Sequence, residues 1–347
     1  MQLYNTLSNI ERTELIQQAG KERLTISFYK YSKISNPELL RNHLFIFWDS
    51  IDVLGRIYVA KEGINAQLSV PADKFEAFKA HLDTIDFLEN VRLNIAIEHD
   101  LFSFLKLKVK VRDKIVSDGL NDNTFDPSDI GTHVNASEFN ALIEDEHTVV
   151  VDMRNHYESE IGHFKNAVTP DVDTFRESLD LIEEDLKEHK ETKKLVMYCT
   201  GGIRCEKASA YYKHRGFEKV YQLDGGIIEY ARQTEAQGLT NKFKGKNFVF
   251  DERMGERISE DIISKCHQCE TPNDDHTNCA NEACHILFIQ CSDCEDQHEG
   301  CCSQKCRDFK RLPQEEQEKL KPTITFNGTL SGKGRYKAKR KDEELTE

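Results

Sequence analysis

The sequence predicts a multidomain protein of mixed α+β and α/β class: an α+β sandwich, then a parallel α/β domain, then a small cysteine-rich metal module. Three observations predict it. Residues 23–113 alternate strand-like and helix-like apolar patterns in the order βαββαβ. From His133 to about Gly238 short apolar runs alternate with amphipathic stretches, as in a parallel sheet flanked by helices. Nine of the eleven cysteines fall between Cys266 and Cys306.

Residues 1–20 read as a charged amphipathic helix, without the basic start and apolar centre of a signal peptide. Residues 21–118 form the first domain. Leu24 to Tyr31 is a strand, and Pro37, at home in a first helical turn, opens a helix to about Trp48. Strands at Arg56–Val59 and Asn65–Val70 flank Lys61-Glu62-Gly63-Ile64, and Ala72–Leu82 is a helix with Phe75, Phe78 and Leu82 on one face. Strands near Arg92–Ile97 and Leu105–Arg112 close the unit, which suggests a ferredoxin-like or acylphosphatase-like sandwich. In the last strand Leu105, Leu107, Val109 and Val111 alternate with Lys106, Lys108, Lys110 and Arg112, so period two gathers four cations on one face. That face is either a solvated sheet surface or a contact surface for nucleic acid. His81-Leu82-Asp83 offers two ligand types of a non-haem iron triad, but on an amphipathic helix a packed histidine is the simpler reading.

Residues 119–132 are polar, acidic and turn-rich, a linker, and residues 133–240 form the second domain. Val149–Val151, Lys194–Tyr198 and Val220–Leu223 are its strands, and Phe175–His189 is a helix. Cys199 follows the second of these strands, at the carboxyl edge where such sheets place their sites. The loop Cys199-Thr200-Gly201-Gly202-Ile203-Arg204 precedes a helix that ends at Gly216. Unpaired amides at a helix start and a nearby arginine favour a thiolate, and two glycines let several N–H groups converge on it. Cys199 is therefore the candidate nucleophile and Arg204 its cationic partner. Cys205 either resolves an oxidised Cys199 or packs as a small residue at the helix start.

The loop and its surroundings resemble a rhodanese domain. Asp152-Met-Arg-Asn-His-Tyr-Glu158 with Gly162-His-Phe164 matches one signature, and Val220-Tyr-Gln-Leu-Asp-Gly-Gly226 with Tyr230 matches another. Rhodanese-like phosphatases carry a loop one residue longer, so the six-residue loop argues against phosphatase chemistry. Gly55 to Gln67, Cys199 to Lys207 and Phe248-Val-Phe-Asp251 are similar to the bacterial rhodanese-containing tRNA uridine hydroxylase family, with Lys61 where that family more often has arginine. The resemblance implies hydroxylation of uridine 34 in the tRNA anticodon loop to 5-hydroxyuridine, with molecular oxygen as co-substrate and Cys199 in the active site. The alternative is a sulfurtransferase carrying a persulfide on Cys199.

Residues 241–312 form the cysteine-rich module. Cys266-x2-Cys269, Cys279-x4-Cys284, Cys291-x2-Cys294 and Cys301-Cys302-x3-Cys306 have the close spacing that tetrahedral zinc coordination requires. Cys266, Cys269, Cys279, Cys284, Cys291, Cys294, Cys302 and Cys306 complete two structural zinc sites with one sulfur over, either Cys301 or Cys302 being the spare, and spacing leaves the pairing open. Residues 313–347 are a basic flexible tail that, like Lys106, Lys108, Lys110 and Arg112, either meets RNA phosphates or merely solubilises.

No apolar run is long enough to span a membrane, which points to the cytoplasm, where cysteine density means metal or reactive thiol rather than disulfides. A net charge of −14 argues against indiscriminate polyanion binding. No Gly-x-Gly-x-x-Gly fingerprint indicates a flavin or nicotinamide. The oligomeric state is not legible from the sequence.

Overall fold

A computed structural model of the chain describes residues 8–122, 124–328 and 335–336. In chain order the first elements are α1 (Asn9–Ala19), β1 (Arg23–Tyr31), α2 (Pro37–Ser50), β2 (Leu54–Ala60), β3 (Gly63–Pro71), α3 (Phe75–Asp83), β4 (Asn94–Ile95) and β5 (Leu107–Val111). Then come β6 (Thr132–Val134), α4 (Ala136–Leu142), β7 (Thr148–Asp152), α5 (His156–Glu160), β8 (Gly162–Phe164), α6 (Phe175–Leu186), β9 (Lys194–Tyr198), α7 (Ile203–His214), β10 (Val220–Leu223) and α8 (Gly226–Gln237). The last are β11 (Phe243–Asn247), β12 (Glu256–Arg257), β13 (His276–Asn278), β14 (Leu287–Ile289), α9 (Ser292–His298), α10 (Gln304–Lys310) and α11 (Gln314–Leu320). Local chemistry sets several boundaries. Ser8 and Glu11 form a reciprocal cap on α1, which ends on a left-handed Gly20.

The chain divides into two compact units: one of Met1–His156, Lys165–Lys242 and Val249–Glu256, the other of Tyr157–Phe164, Phe243–Phe248 and Arg257–Glu347. Tyr157–Phe164, within the span predicted for the second domain, groups with the C-terminal unit because β8 pairs antiparallel with β11, Phe164 opposite Phe243.

In the first unit a five-stranded sheet runs in the order β4-β1-β3-β2-β5. One face presents Ile26, Phe28, Ile57, Val59, Ala66, Leu68 and Leu107 to Leu44, Trp48, Phe78 and Leu82 of α2 and α3, all buried. Burial of each of the Val, Leu, Ile and Phe side chains among these contributes about 1.5–3 kcal/mol. The opposite face is polar. Directly paired residues form one rung across all five strands: Asn94, Ser27, Gln67, Arg56 and Lys108. Lys108 and Lys110 are exposed, Lys106 is half-buried at the strand start, and Arg112 lies just past β5 with its guanidinium over the Tyr58 ring.

The strand predicted near 92–97 shrinks to two residues, because beyond Ala96 the next amide, that of Ile97, donates to the Glu256 carboxylate at 3.2 Å instead of to a strand. His81 is packed among aromatic side chains. The Trp48 indole donates to its Nδ1 at 3.2 Å, Phe47 stacks on it at 3.9 Å, and burial followed by His43 lowers its pKa to about 4.

A second sheet, ordered β6-β10-β9-β7, is parallel throughout, with the buried run Leu195–Tyr198 in an interior strand. The predicted helix 175–189 is α6 followed by a tighter final turn at Lys187–His189. The predicted linker is tied down at its start. Lys114 reaches Asp118 at 2.7 Å and Asp122 at 3.0 Å, and Asp122 accepts from Lys207 of α7 at 2.8 Å.

The second unit holds β8 with β11, the β13–β14 hairpin and helices α9 to α11. Its core combines Ile286 and Phe288 with cysteine sulfurs, as expected of a segment with few aliphatic residues. Of the basic tail from Lys333 to Lys341, all but Arg335 and Tyr336 lies outside the described residues. No helix among the described residues is long and apolar enough to cross a membrane.

Candidate active site

Strand β9 delivers Cys199 to the carboxyl edge of the parallel sheet, and the chain turns at once into α7. That helix begins at Ile203, so Ile203 and Arg204, which the sequence reading leaves in the loop, sit in its first turn together with Cys205. The turn needs Gly202, whose φ is +99° and whose missing Cβ would lie 2.7 Å from the Tyr29 hydroxyl. A second close approach comes from α8. The Ile227 N–H donates to the Cys199 carbonyl at 3.0 Å and the Ile228 N–H to the Thr200 carbonyl at 3.3 Å, holding the loop from behind. A Cβ on Gly226 would meet those same carbonyl oxygens at 2.5 and 2.6 Å.

Cys199 is wholly buried, and its Sγ accepts from the Gly202 N–H at 3.1 Å. Burial alone would push the thiol up. The Cys205 thiol, the Arg204 cation and the amides of Arg204 and Cys205 outweigh burial and bring the pKa down to about 6. The same contact, after burial, pushes Cys205 well above its ordinary value, so Cys205 stays protonated and donates to Cys199. Arg204 is nearly buried, with Thr200 Oγ1 at 3.5 Å and the Phe250 ring 5.9 Å from its guanidinium.

The sheet of the first domain completes the surroundings, which sequence reasoning missed. Tyr29 donates to Glu206 at 3.0 Å and Tyr31 to the Ile203 carbonyl at 3.4 Å. Glu206 also meets His133 at 3.1 Å, which raises the His133 pKa. Lys207, 2% exposed, lies between Glu62 and Asp122, each at 2.8 Å, with the Tyr31 ring 5.2 Å away. Arg92 grips Asp224 with two nitrogens, and Arg232 donates to the carbonyls of Ile95 at 2.8 Å and Ala96 at 3.1 Å. The available signals were Glu62 and Lys207 themselves, ionisable residues beside apolar runs, but their pairing could not be read from one chain.

Between the polar sheet face and the cysteine loop opens a small, partly open cleft. Its lining includes Ser27, Gln67, Asn94, Thr200, Phe250 and Glu256. Glu256 is fully buried, and burial raises its pKa despite the opposing Arg253 cation.

In the second unit the eight predicted metal cysteines gather into two groups: Cys266, Cys269, Cys291 and Cys294; and Cys279, Cys284, Cys302 and Cys306. Sulfurs within each group lie within 4.8 Å of one another, with neighbours at 3.5 Å (Cys269–Cys291) and 3.7 Å (Cys284–Cys302). Four thiolates at about 2.3 Å from a tetrahedral zinc stand about 3.8 Å apart, so the donor set and spacing fit that ion. Backbone amides of Cys291 and Cys302 donate to the sulfurs of Cys266 at 3.4 Å and Cys279 at 3.3 Å, as outer partners of a metal-bound thiolate do. Cys301 stands outside both groups, which resolves which of the adjacent pair is spare.

Residues 23–115 match the UPF0176 acylphosphatase-like domain, residues 135–233 the rhodanese-like domain and residues 244–307 the rhodanese C-terminal family. The chain is 52% identical over 336 residues to the tRNA uridine(34) hydroxylase of Photorhabdus laumondii, covering 96% of this chain and 95% of that one. It is 55% identical to that of Enterobacter sp. strain 638, with 91% of each chain covered. It is likewise 55% identical to that of Pectobacterium carotovorum, covering 92% and 90%.

Proposed function

The chain belongs to the tRNA uridine(34) hydroxylase family, and on that premise we propose that it hydroxylates uridine 34 of tRNA at C5, with the Cys199 thiolate as nucleophile. The observation that supports this reading most is the cradle itself. A single sulfur is held as thiolate near neutral pH by a guanidinium, a thiol and loop amides, in a chain that shares half its residues with these hydroxylases.

Uracil has an electron-poor C6. Attack by the Cys199 sulfur forms an S–C6 bond and moves the C5–C6 π pair onto C5 and O4 as an enolate. C5 then bonds to molecular oxygen as a peroxide anion, and an external two-electron reductant with three protons cleaves the O–O bond, leaving a C5 hydroxyl and releasing water; one of those protons is returned when the C5 proton leaves. Loss of the C5 proton expels the thiolate and restores the double bond. Arg204 and the amides that hold the thiolate at rest receive it again at the last step. Cys205, protonated, serves as a hydrogen-bond donor to that sulfur. Because Cys199 has no exposed surface, the 200–203 turn must shift to admit the base.

The two four-cysteine groups hold one zinc ion each, closed by four thiolates and thus structural. When bound, the ions supply folding free energy to a unit poor in aliphatic core.

Nucleoside mass spectrometry of tRNA from cells lacking the gene, complemented with wild type or Cys199→Ala, tests the reading. Loss of 5-hydroxyuridine restored only by wild type supports it; a level that never changes overturns it. Trapping with tRNA carrying 5-fluorouridine at position 34 tests the covalent step. A Cys199–RNA adduct is expected, and its absence sinks addition at C6.

A further inference from the structure

The cleft beside the cysteine loop contains a side chain that no neighbour satisfies. Asn94 is 4% exposed, yet its Oδ1 accepts no hydrogen bond from any described residue. Its Nδ2 is 3.6 Å from where a Cβ on Gly201 would stand, so the amide adjoins the loop that carries Cys199. A buried amide oxygen without a donor is costly, and such exceptions call for an explanation. The strand that carries it is held in place by others. Arg232 takes the carbonyls of Ile95 and Ala96, and Glu256 takes the Ile97 amide.

From this geometry we propose that the cleft seats the target pyrimidine and that Asn94 reads it as uracil. This rests on the hydroxylase reading and names the residue that selects its base. An amide side chain presents an acceptor and a donor side by side. Uracil answers with the N3–H donor beside the O4 acceptor. Cytosine presents the reverse pattern, an N3 acceptor beside an N4 amino donor, and would need the amide turned over, putting Oδ1 where Nδ2 now lies beside Gly201. Phe250, with the Arg204 guanidinium 5.9 Å from its ring, supplies the flat partner on which an unstacked base rests.

The surroundings favour an RNA strand as the carrier of that base. Asn94 begins the cross-strand rung that continues through Ser27 and Gln67 to Arg56 and Lys108. Ser27 and Gln67 line the cleft, and Arg56 and Lys108 are exposed at the rung's far end. Burial, then Arg56, Lys110 and Lys106, lower the Lys108 pKa against the opposing pull of Glu252, so the cations at this end repel one another more than the one nearby carboxylate offsets. In a chain of net charge −14 that is a local reversal of sign. Strands stand about 4.8 Å apart, so the rung's cationic end lies about 14–19 Å from Asn94, within reach of the phosphates of neighbouring nucleotides.

Two measurements on the full-length protein test this. The first compares Asn94→Asp and Asn94→Ala with wild type on an anticodon stem-loop bearing uridine 34. Both variants should lose roughly five- to hundredfold in kcat/KM, the range for one two-point base contact, while stem-loop affinity changes little and the melting temperature does not fall. A lower melting temperature with proportionate activity loss would make Asn94 merely structural, and wild-type kinetics would remove it from the site. The second is photocrosslinking of the stem-loop carrying 4-thiouridine at position 34. Crosslinks should map to Asn94–Ala96, Thr200 or Val249–Glu256, and crosslinks elsewhere overturn the assignment. If wild type makes no 5-hydroxyuridine but the crosslink lands in the cleft, the base seat stands and the hydroxylase reading fails. If hydroxylation proceeds with crosslinks elsewhere, the reverse holds.

Discussion

At the end of β9 one sulfur stands among fixed donors, whereas between Cys266 and Cys306 eight sulfurs stand among each other. The first arrangement favours a thiolate by itself, whereas the second does so only around a cation. Around Cys199 the negative charge is balanced by a helix start, a guanidinium and a neighbouring thiol, and no second thiolate competes for it. Within the four-cysteine groups, sulfurs at 3.5–3.7 Å cannot all be anionic unless a cation sits between them. In the function proposed above, the first arrangement keeps an electron pair for substrate, whereas the second, once a metal is bound, commits every pair to it.

The sharpest way to break this contrast is to remove one ligand. Cys284→Ser should lower the zinc content from two equivalents to one, and amide exchange across 276–310 should rise to nearly unprotected rates, since structural zinc contributes on the order of 10 kcal/mol or more. Protection of β9 and α7 should persist. If zinc content is unaffected, the assignment of Cys284 is wrong. Next in size is Cys199→Ala. It should depress hydroxylation by at least roughly 10³-fold with both zinc ions retained, measured by nucleoside mass spectrometry beside elemental analysis.

Between them in kind lies Lys207, a buried cation serving two carboxylates at the helix that presents Cys199. Lys207→Met should destabilise the first unit by roughly 3 kcal/mol, read from denaturant midpoints, because Glu62 and Asp122 lose their shared partner. The smallest effect is Arg204→Gln. The thiolate of Cys199, followed by ultraviolet absorbance against a Cys199→Ser reference, should titrate near pH 6 in wild type and higher in the variant, a shift of about one unit being worth about 1.4 kcal/mol. The folded pKa lies below the unfolded one, so the stabilisation is complete above the ordinary thiol pKa and disappears as pH falls through 6. An unchanged midpoint would mean that the amides and Cys205 suffice without the cation.

How much of this was legible in the sequence depends on the range of the interaction. The alternation of Leu107 and Val109 with Lys108 and Lys110 settled which face of β5 is core, because period two is a local property. The cysteine pairs were legible for the same reason, but their partners interleave, 266/269 with 291/294 and 279/284 with 302/306, and only the folded chain shows it. The closeness of a cation to Cys199 was legible because Arg204 lies only five residues on, and the structure places its charge where it lowers the Cys199 pKa. The start of α7 was misplaced because Gly202, usually a breaker, acts here as the helix cap. What escaped are the contacts made over great separations: Glu256 ending β4 from 159 residues away, and Tyr29 reaching Glu206 across 177. No periodicity encodes such pairs. The acidic stretch after Asp118 likewise read as a linker because its charges are local, while the lysine that fixes Asp122 is not.

The rung from Asn94 to Lys108 also ties inheritance of the fold to inheritance of the reaction. A single inserted or deleted residue within β3 would exchange Gln67 for an aliphatic neighbour on the outer face and drive a polar side chain into the helix-covered core. Folding would fail, and with it the substrate contact proposed for the rung. Point substitutions can tune the polar face independently of the core, but length changes in that strand cannot, so variation in this part of the molecule should accumulate by replacement, with gaps confined to the turns.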